Sequence, residues 1–216
     1  MTLQVFLEWF HRLDAFVVGI ALTIQFLVVL VRRSQLPLWL PWFCGGLFLL
    51  VLIQGGLGAL TVLHLLPADV VTTHLILALT LVAFMSGLTQ RLLFPSGLTS
   101  PLWWRLLGGV SLTAVLGQSL LGAHMATTWS AQRCLTQGEG CEWLGLHRIS
   151  AMPVAFCILL FVIISLVVGG WPRSQWRFLL AVSLLVSAQI SLGVLTLQFG
   201  LKQPVLTVGH QLIAAL

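Results

Sequence analysis

The residues best able to do chemistry in this chain are histidines, and their spacing is regular. His11 to His74 spans 63 residues, and so does His147 to His210. Each interval opens on a His-Arg pair, at 11–12 and again at 147–148, and closes on a histidine that starts another apolar segment. Ionisable side chains in apolar spans are costly and as a rule face a bundle interior. Paired within each half, these imidazoles could supply two axial nitrogens to a haem iron lying between helices. Taken singly, each reads more readily as an interfacial histidine bonded to water or a loop carbonyl. Four of them at repeat spacing favour the iron. Zinc or copper fits less well, because no Cys, Asp or Glu cluster accompanies them at ligand spacing.

The neighbours of these histidines differ between the halves. Arg12 and Arg148 directly follow the first histidine of each pair. A guanidinium suits a haem propionate, and equally well snorkels at a membrane interface. Glu8 precedes His11 by three residues, one turn outward on the same helix face. The equivalent place before His147 is Leu144. A carboxylate beside one site can carry a proton or stabilise a cationic intermediate, where the other site only passes electrons. On spacing alone, an acid favoured by the helix macrodipole, or a partner for Arg12, is the better account of Glu8. His64, in an outer loop, and His124, near an outer helix end, have no repeat partner. Both read as interfacial residues, with His124 alternatively above a haem edge.

The elements that must position these residues are membrane spans. Hydrophobic residues make up 59% of the chain and charged residues 7%, against about 25% charged in ordinary globular domains. So few charges exclude a soluble surface. Apolar runs over residues 13–31, 40–63, 73–93, 105–126, 149–170 and 177–198 are each long enough to cross ~30 Å of hydrocarbon as a helix. A seventh begins near residue 205 and is too short to cross, which predicts a truncated last helix. "MTLQVFLEWFHR" leads into the first span without the usual form of a signal peptide. Arg32, Arg33, Arg91, Arg105, Arg173 and Arg177 fall on one side and mark it as cytoplasmic. All nine tryptophans fall near span ends, as an aromatic belt requires. The formal charge of +5 then points to anionic lipid headgroups and not to nucleic acid.

A tandem repeat organises the spans. "QGGLGALT" at 54–61 matches "QISLGVLT" at 189–196, with Gln54/Gln189, Gly58/Gly193 and Thr61/Thr196 in step. The halves are residues 1–94 and 95–216. The second half carries an extra span before its His-Arg helix, so a complete pair of repeats would have eight spans. The expected fold is therefore all-α integral membrane: two pseudo-symmetric four-helix bundles, here with the first helix absent and the last cut short. The outer loop 127–146 holds Cys134 and Cys141, which form either a disulfide in the oxidising compartment or a pair of free thiols. Their spacing is not that of a zinc site. Cys44 and Cys157 read as small apolar packers.

"EWFHR", "GGLGALT" followed by "VVTTHLILAL", "LLGA…C…C…HR" and "VLTVGHQLIAAL" resemble the haem A synthase family over nearly the whole chain. The resemblance implies an eight-helix inner-membrane enzyme that oxidises the C8 methyl of haem O to the formyl of haem A by successive hydroxylations. It implies a substrate haem on His11 and His74 with Glu8 as catalytic carboxylate. It also implies an electron-relaying haem b on His147 and His210, both sites near the periplasmic face, and a Cys134–Cys141 disulfide. Its partners would be the haem O synthase (farnesyltransferase) that supplies substrate and a membrane electron acceptor, with a homo-oligomer left open. Two rival classes stand beside it. A di-haem b-type electron-transfer cytochrome would give Glu8 no task. A transporter would need broken polar segments at mid-membrane, which these spans lack.

Overall fold

The computed structural model describes residues 3–64, 67–93 and 100–215. Among these the chain forms α1 (Leu3–Val31), a 3-10 turn (Arg33–Gln35), α2 (Trp39–Leu63), α3 (Ala68–Leu93), α4 (Leu102–Thr127), α5 (Ser130–Gln137), α6 (Cys141–Val168), α7 (Gly170–Ser174), α8 (Trp176–Gln198) and α9 (Pro204–Ala215). No strand occurs among the described residues. Six helices (α1 from Glu8, α2, α3, α4, α6 and α8) are long and apolar enough to cross a membrane, with mean hydropathy from 1.5 to 2.9. The protein is an all-α multi-pass membrane protein.

Helix is the form these segments must take, because hydrocarbon offers backbone groups no partner outside their own segment. Side-chain hydroxyls follow the same rule. Thr23 donates to the Gly19 carbonyl at 2.8 Å, Thr80 to Ile76 at 2.8 Å and Ser183 to Leu179 at 2.9 Å. Large apolar side chains such as Phe16, Trp42 and Phe156 point outward, which suits a lipid-facing surface.

The helices outrun the apolar stretches that predict them. α3 starts at Ala68 and α6 at Cys141, whereas the hydropathic runs begin at 73 and 149. Hydropathy marks the hydrocarbon, while a helix continues into the headgroup layer. The histidines therefore do not open their helices. His74, His147 and His210 are each the seventh residue of α3, α6 and α9, and His11 is the ninth of α1. The segment 127–146 is likewise no plain loop, since it contains α5 and the first turns of α6. Gly138 and Gly140, at φ 76° and 72°, turn the chain between them in the left-handed region that glycine enters without a Cβ clash.

The chain divides into two compact units, Met1–Pro95 and Ser96–Leu216; the expected 94/95 boundary lies outside the described residues. In the first unit, α2 packs on both α1 and α3. Its core joins Leu22 and Val29 of α1, Leu40, Cys44 and Leu47 of α2, and Leu81 and Leu88 of α3. Phe26 stacks on Phe48 with ring centres 5.1 Å apart. All of this lies at the end away from His11 and His74. No described residue before Leu22, or between Leu47 and Leu81, is buried.

In the second unit, α6 packs on α4, α5, α7 and α8, and α8 carries α9. The sequence α6–α8–α9 thus repeats the packing order α1–α2–α3. Trp104 lies against Phe161 and Trp171, and Ile158, Val162, Ser165 and Leu179 are buried. Pro153 sits inside α6. Arg173 caps the end of that helix, its Nε donating to the Leu166 carbonyl at 2.6 Å, where a cation also meets the negative end of the helix dipole. Here the histidine end is covered: Ser130 and Ala131 of α5 and Leu144 of α6 are buried. A disulfide joins Cys134 of α5 to Cys141, the first residue of α6.

Alkylation of the unreduced protein is expected to leave Cys134 and Cys141 unmodified, and reduction to open both. Labelling of the pair before reduction would show the bridge to be absent.

Candidate haem-binding site

Three of the four histidines lie edge-on to a glycine of the preceding membrane-crossing helix. A Cβ added at Gly58 would meet Cε1 of His74 at 3.3 Å. The same addition at Gly122 would meet Cε1 of His147 at 3.1 Å, and at Gly193 Cε1 of His210 at 3.0 Å. The missing side chain is what admits each ring so close to the neighbouring backbone. Four residues before each glycine, one turn away on the same face, stands a glutamine: Gln54, Gln118 and Gln189.

In the second unit these glutamines reach the rings themselves. The Gln118 amide nitrogen lies 3.1 Å from Nδ1 of His147 and donates to the His147 carbonyl at 2.7 Å. Ser150 Oγ donates to Oε1 of the same glutamine at 2.7 Å. Nδ1 of His210 lies 3.1 Å from the Gln189 carbonyl oxygen. A proton on that Nδ1 leaves the lone pair on Nε2, the tautomer a metal-ligating histidine takes, and the Gln189 amide nitrogen lies 3.4 Å from that Nε2.

His147 and His210 face each other, ring centres 6.4 Å apart and planes at 86°. Two imidazoles that each hold one shared metal at the usual ~2 Å have centres about 6 Å apart. The separation of the ring centres is therefore of the length that a shared metal sets. Among the described residues no group of three or more His, Cys, Asp or Glu gathers around a common point. Two imidazoles suffice for an iron that already carries the equatorial nitrogens of a porphyrin.

The first unit repeats the seat with different partners. Gln54 donates to the His74 carbonyl at 2.9 Å. Nδ1 of His74 and Oε1 of Gln54 are buried without a hydrogen-bond partner, and an unpaired buried polar atom calls for an occupant. His11, the other histidine of this pair, is exposed. Beside it, Arg12 forms an ion pair with Glu8 across one helical turn. The Arg12 guanidinium is thus shared with a carboxylate of its own helix, whereas Arg148 is exposed with no ion pair among the described residues. Leu144, in the place corresponding to Glu8, is 6% exposed. The one unit offers a carboxylate at an open position where the other closes with an apolar side chain.

The remaining candidates fall outside both pairs. The His124 ring centre lies 4.4 Å from that of Trp143. His64 ends α2, its N–H donating to the Leu60 carbonyl at 3.1 Å. Gln118, Gly122 and Ser150 escape a two-fold reading of the sequence. Their signal is a third copy of Gln-x-x-Leu-Gly, "QSLLG" at 118–122 beside "QGGLG" at 54–58 and "QISLG" at 189–193. A comparison of halves passes over it because α4 has no partner in the first unit.

The family model COX15-CtaA, cytochrome oxidase assembly protein, matches residues 1–216. No curated protein and no solved structure matches the chain. With a match that runs over every residue, and six membrane-crossing helices in agreement with it, the chain belongs to the COX15-CtaA family of cytochrome oxidase assembly proteins, the haem A synthase family.

Proposed function

We propose that this protein is a haem A synthase, converting the C8 methyl of haem O to a formyl group. The observation that carries the reading is the asymmetry between two otherwise matching histidine sites. Glu8 stands exposed one turn from His11, and buried Leu144 holds the corresponding place before His147. A chain that only passed electrons between two haems would have no use for that carboxylate.

On this reading His11 and His74 hold the substrate haem, and the unpaired Nδ1 of His74 and Oε1 of Gln54 border its pocket. His147 and His210 hold a haem b, whose redox-active iron supplies a route for electrons. Two hydroxylations at one methyl give a gem-diol that loses water to leave the aldehyde. With water as the oxygen source, the methyl takes up one water and releases four protons and four electrons, the electrons passing to a membrane electron acceptor that serves as the oxidant. Glu8 takes up protons at its carboxylate oxygens, or offsets positive charge that develops beside it, and Arg12 orients that carboxylate through their ion pair. Arg148, exposed and free of an ion pair among the described residues, is the guanidinium best able to meet a propionate. Both sites lie toward the periplasmic face, on the side opposite the six-arginine loops.

Chromatography of haems extracted from the purified protein is the direct test, with haem b expected beside haem O or haem A. Haem b alone would favour an electron-transfer cytochrome, and a colourless protein would end the haem reading. Glu8→Gln is expected to keep both haems and stall at haem O or its hydroxylated form, with haem A output down about 100-fold, the usual scale for loss of a proton-transfer group. Normal output would remove Glu8 from the reaction. His147→Ala is expected to abolish the low-spin b-type spectrum, and Gly122→Ala to weaken it by driving a methyl against the ring. An unchanged spectrum in both would argue against axial ligation by His147.

A further inference from the structure

At the end of the first unit away from the histidines, a groove runs between the first turns of α2 and the last turns of α3. It holds about 390 Å³, within the range of ligand sites. Trp39 and Phe43, one turn apart on α2, form one wall. Trp39 meets Phe43 edge-on with ring centres 6.2 Å apart, and Phe84 of α3 meets Phe43 in the same way at 6.0 Å. The other side is bare. Ala83 and Gly87 of α3 line it, and a Cβ added at Gly87 would meet nothing within 4 Å. Arg91, one turn beyond Gly87, stands at the end of the groove, exposed and without an ion pair among the described residues. From Ala83 to Arg91 the groove follows about 12 Å of helix.

We infer that this groove binds an anionic phospholipid of the cytoplasmic leaflet, an acyl chain lying against the aromatic wall and the phosphate on Arg91. Arg91 falls on the side that the basic residues mark as cytoplasmic, with Arg32 and Arg33 on the connection leading into α2. Negative lipids concentrate in that leaflet, and basic pockets between membrane-crossing helices there take their headgroups. A guanidinium can meet two phosphate oxygens at once, and a tryptophan suits the boundary of chain and headgroup. The protein itself has no counter-charge to offer. Its five acids, Glu8, Asp14, Asp69, Glu139 and Glu142, all lie toward the opposite face of the membrane, so a second copy brings no carboxylate to Arg91. A quinone could stack on the aromatic rings but would leave the guanidinium without an anion. A lipid seated here braces α2 against α3 at the end where the core of the unit lies.

The test uses the full-length protein purified in detergent. Phosphatidylglycerol or phosphatidylcholine is added at matched concentration, and the lipid retained by the protein is counted by native mass spectrometry. Wild-type protein is expected to keep a phosphatidylglycerol at concentrations where phosphatidylcholine is lost. Arg91→Gln is expected to weaken that retention about five-fold, the attraction one basic residue has for an anionic lipid surface. Gly87→Leu, which fills the groove without meeting a neighbour, is expected to abolish it. Gly109→Leu, at an exposed glycine of α4 with equal room for a side chain, is the control and is expected to behave as wild type. If Gly87→Leu does not fold, Arg91→Gln, at an exposed side chain, carries the comparison. Equal retention of the two lipids, or wild-type retention in Arg91→Gln and Gly87→Leu, would overturn the proposal. So would a quinone that co-purifies with wild type and is lost from Gly87→Leu, or a dimer that the same substitution breaks. Retention of lipid needs no haem, so its outcome is separate from that of the haem chromatography.

Discussion

A polar ring placed within an apolar bundle must find its partners inside the protein, and this requirement shapes both units. The imidazole needs a hydrogen-bonding neighbour for one nitrogen and open space in front of the other. A facing helix can offer both only if it carries a donor or acceptor at one turn and no side chain at the next. Gln-x-x-Leu-Gly recurs on α2, α4 and α8, and its glycine lies against the ring of His74, His147 and His210 in turn, while a ring nitrogen meets its glutamine at His147 and His210 and Nδ1 of His74 stays unpaired. Where the helices approach for other reasons, the contacts are ordinary apolar ones, such as Phe26 on Phe48 or Trp104 on Phe161.

The two ends of the first unit show how this demand divides the structure. Its core is gathered around Leu22, Leu47 and Leu88, and none of the described residues at the histidine end is buried. Close packing supplies the cohesion of a membrane bundle, since lipid and protein interiors are equally apolar. A half-bundle that packs at one end and stays open at the other can therefore accept a large flat ligand without first breaking contacts. The second unit adds α5 over its corresponding end and so keeps less of that surface available.

Much of this was legible in the residues. Span number follows from hydropathy, because length and apolarity are what the bilayer selects, and the repeat follows from the 63-residue interval between histidines. Helix starts were not legible, because the first turns of α3 and α6 lie in polar sequence that hydropathy discards. α5 was hidden for the same reason, as "SAQRCLTQ" carries no apolar run. The Glu8–Arg12 pair was foreseen only as one alternative, because i to i+4 spacing permits an ion pair without requiring it. Gln118 was missed because its copy of Gln-x-x-Leu-Gly lies on α4, which has no counterpart in the first unit, and because its contact joins residues 29 apart in sequence.

Pro153 has a bearing on how the two ends of α6 relate. Proline has no N–H to give, so the carbonyl of Ile149, one turn earlier, loses its usual donor, and helices yield most readily at such places. His147 stands on one side of that weak point, and Ile158, Val162 and Ser165 are clamped on the other. A displacement at the imidazole is thus absorbed in the backbone within two turns of its origin. Both ends of α6 are held, by Leu144 and the Cys134–Cys141 bridge on one side and by Ile158, Val162 and Ser165 on the other, with the proline between them.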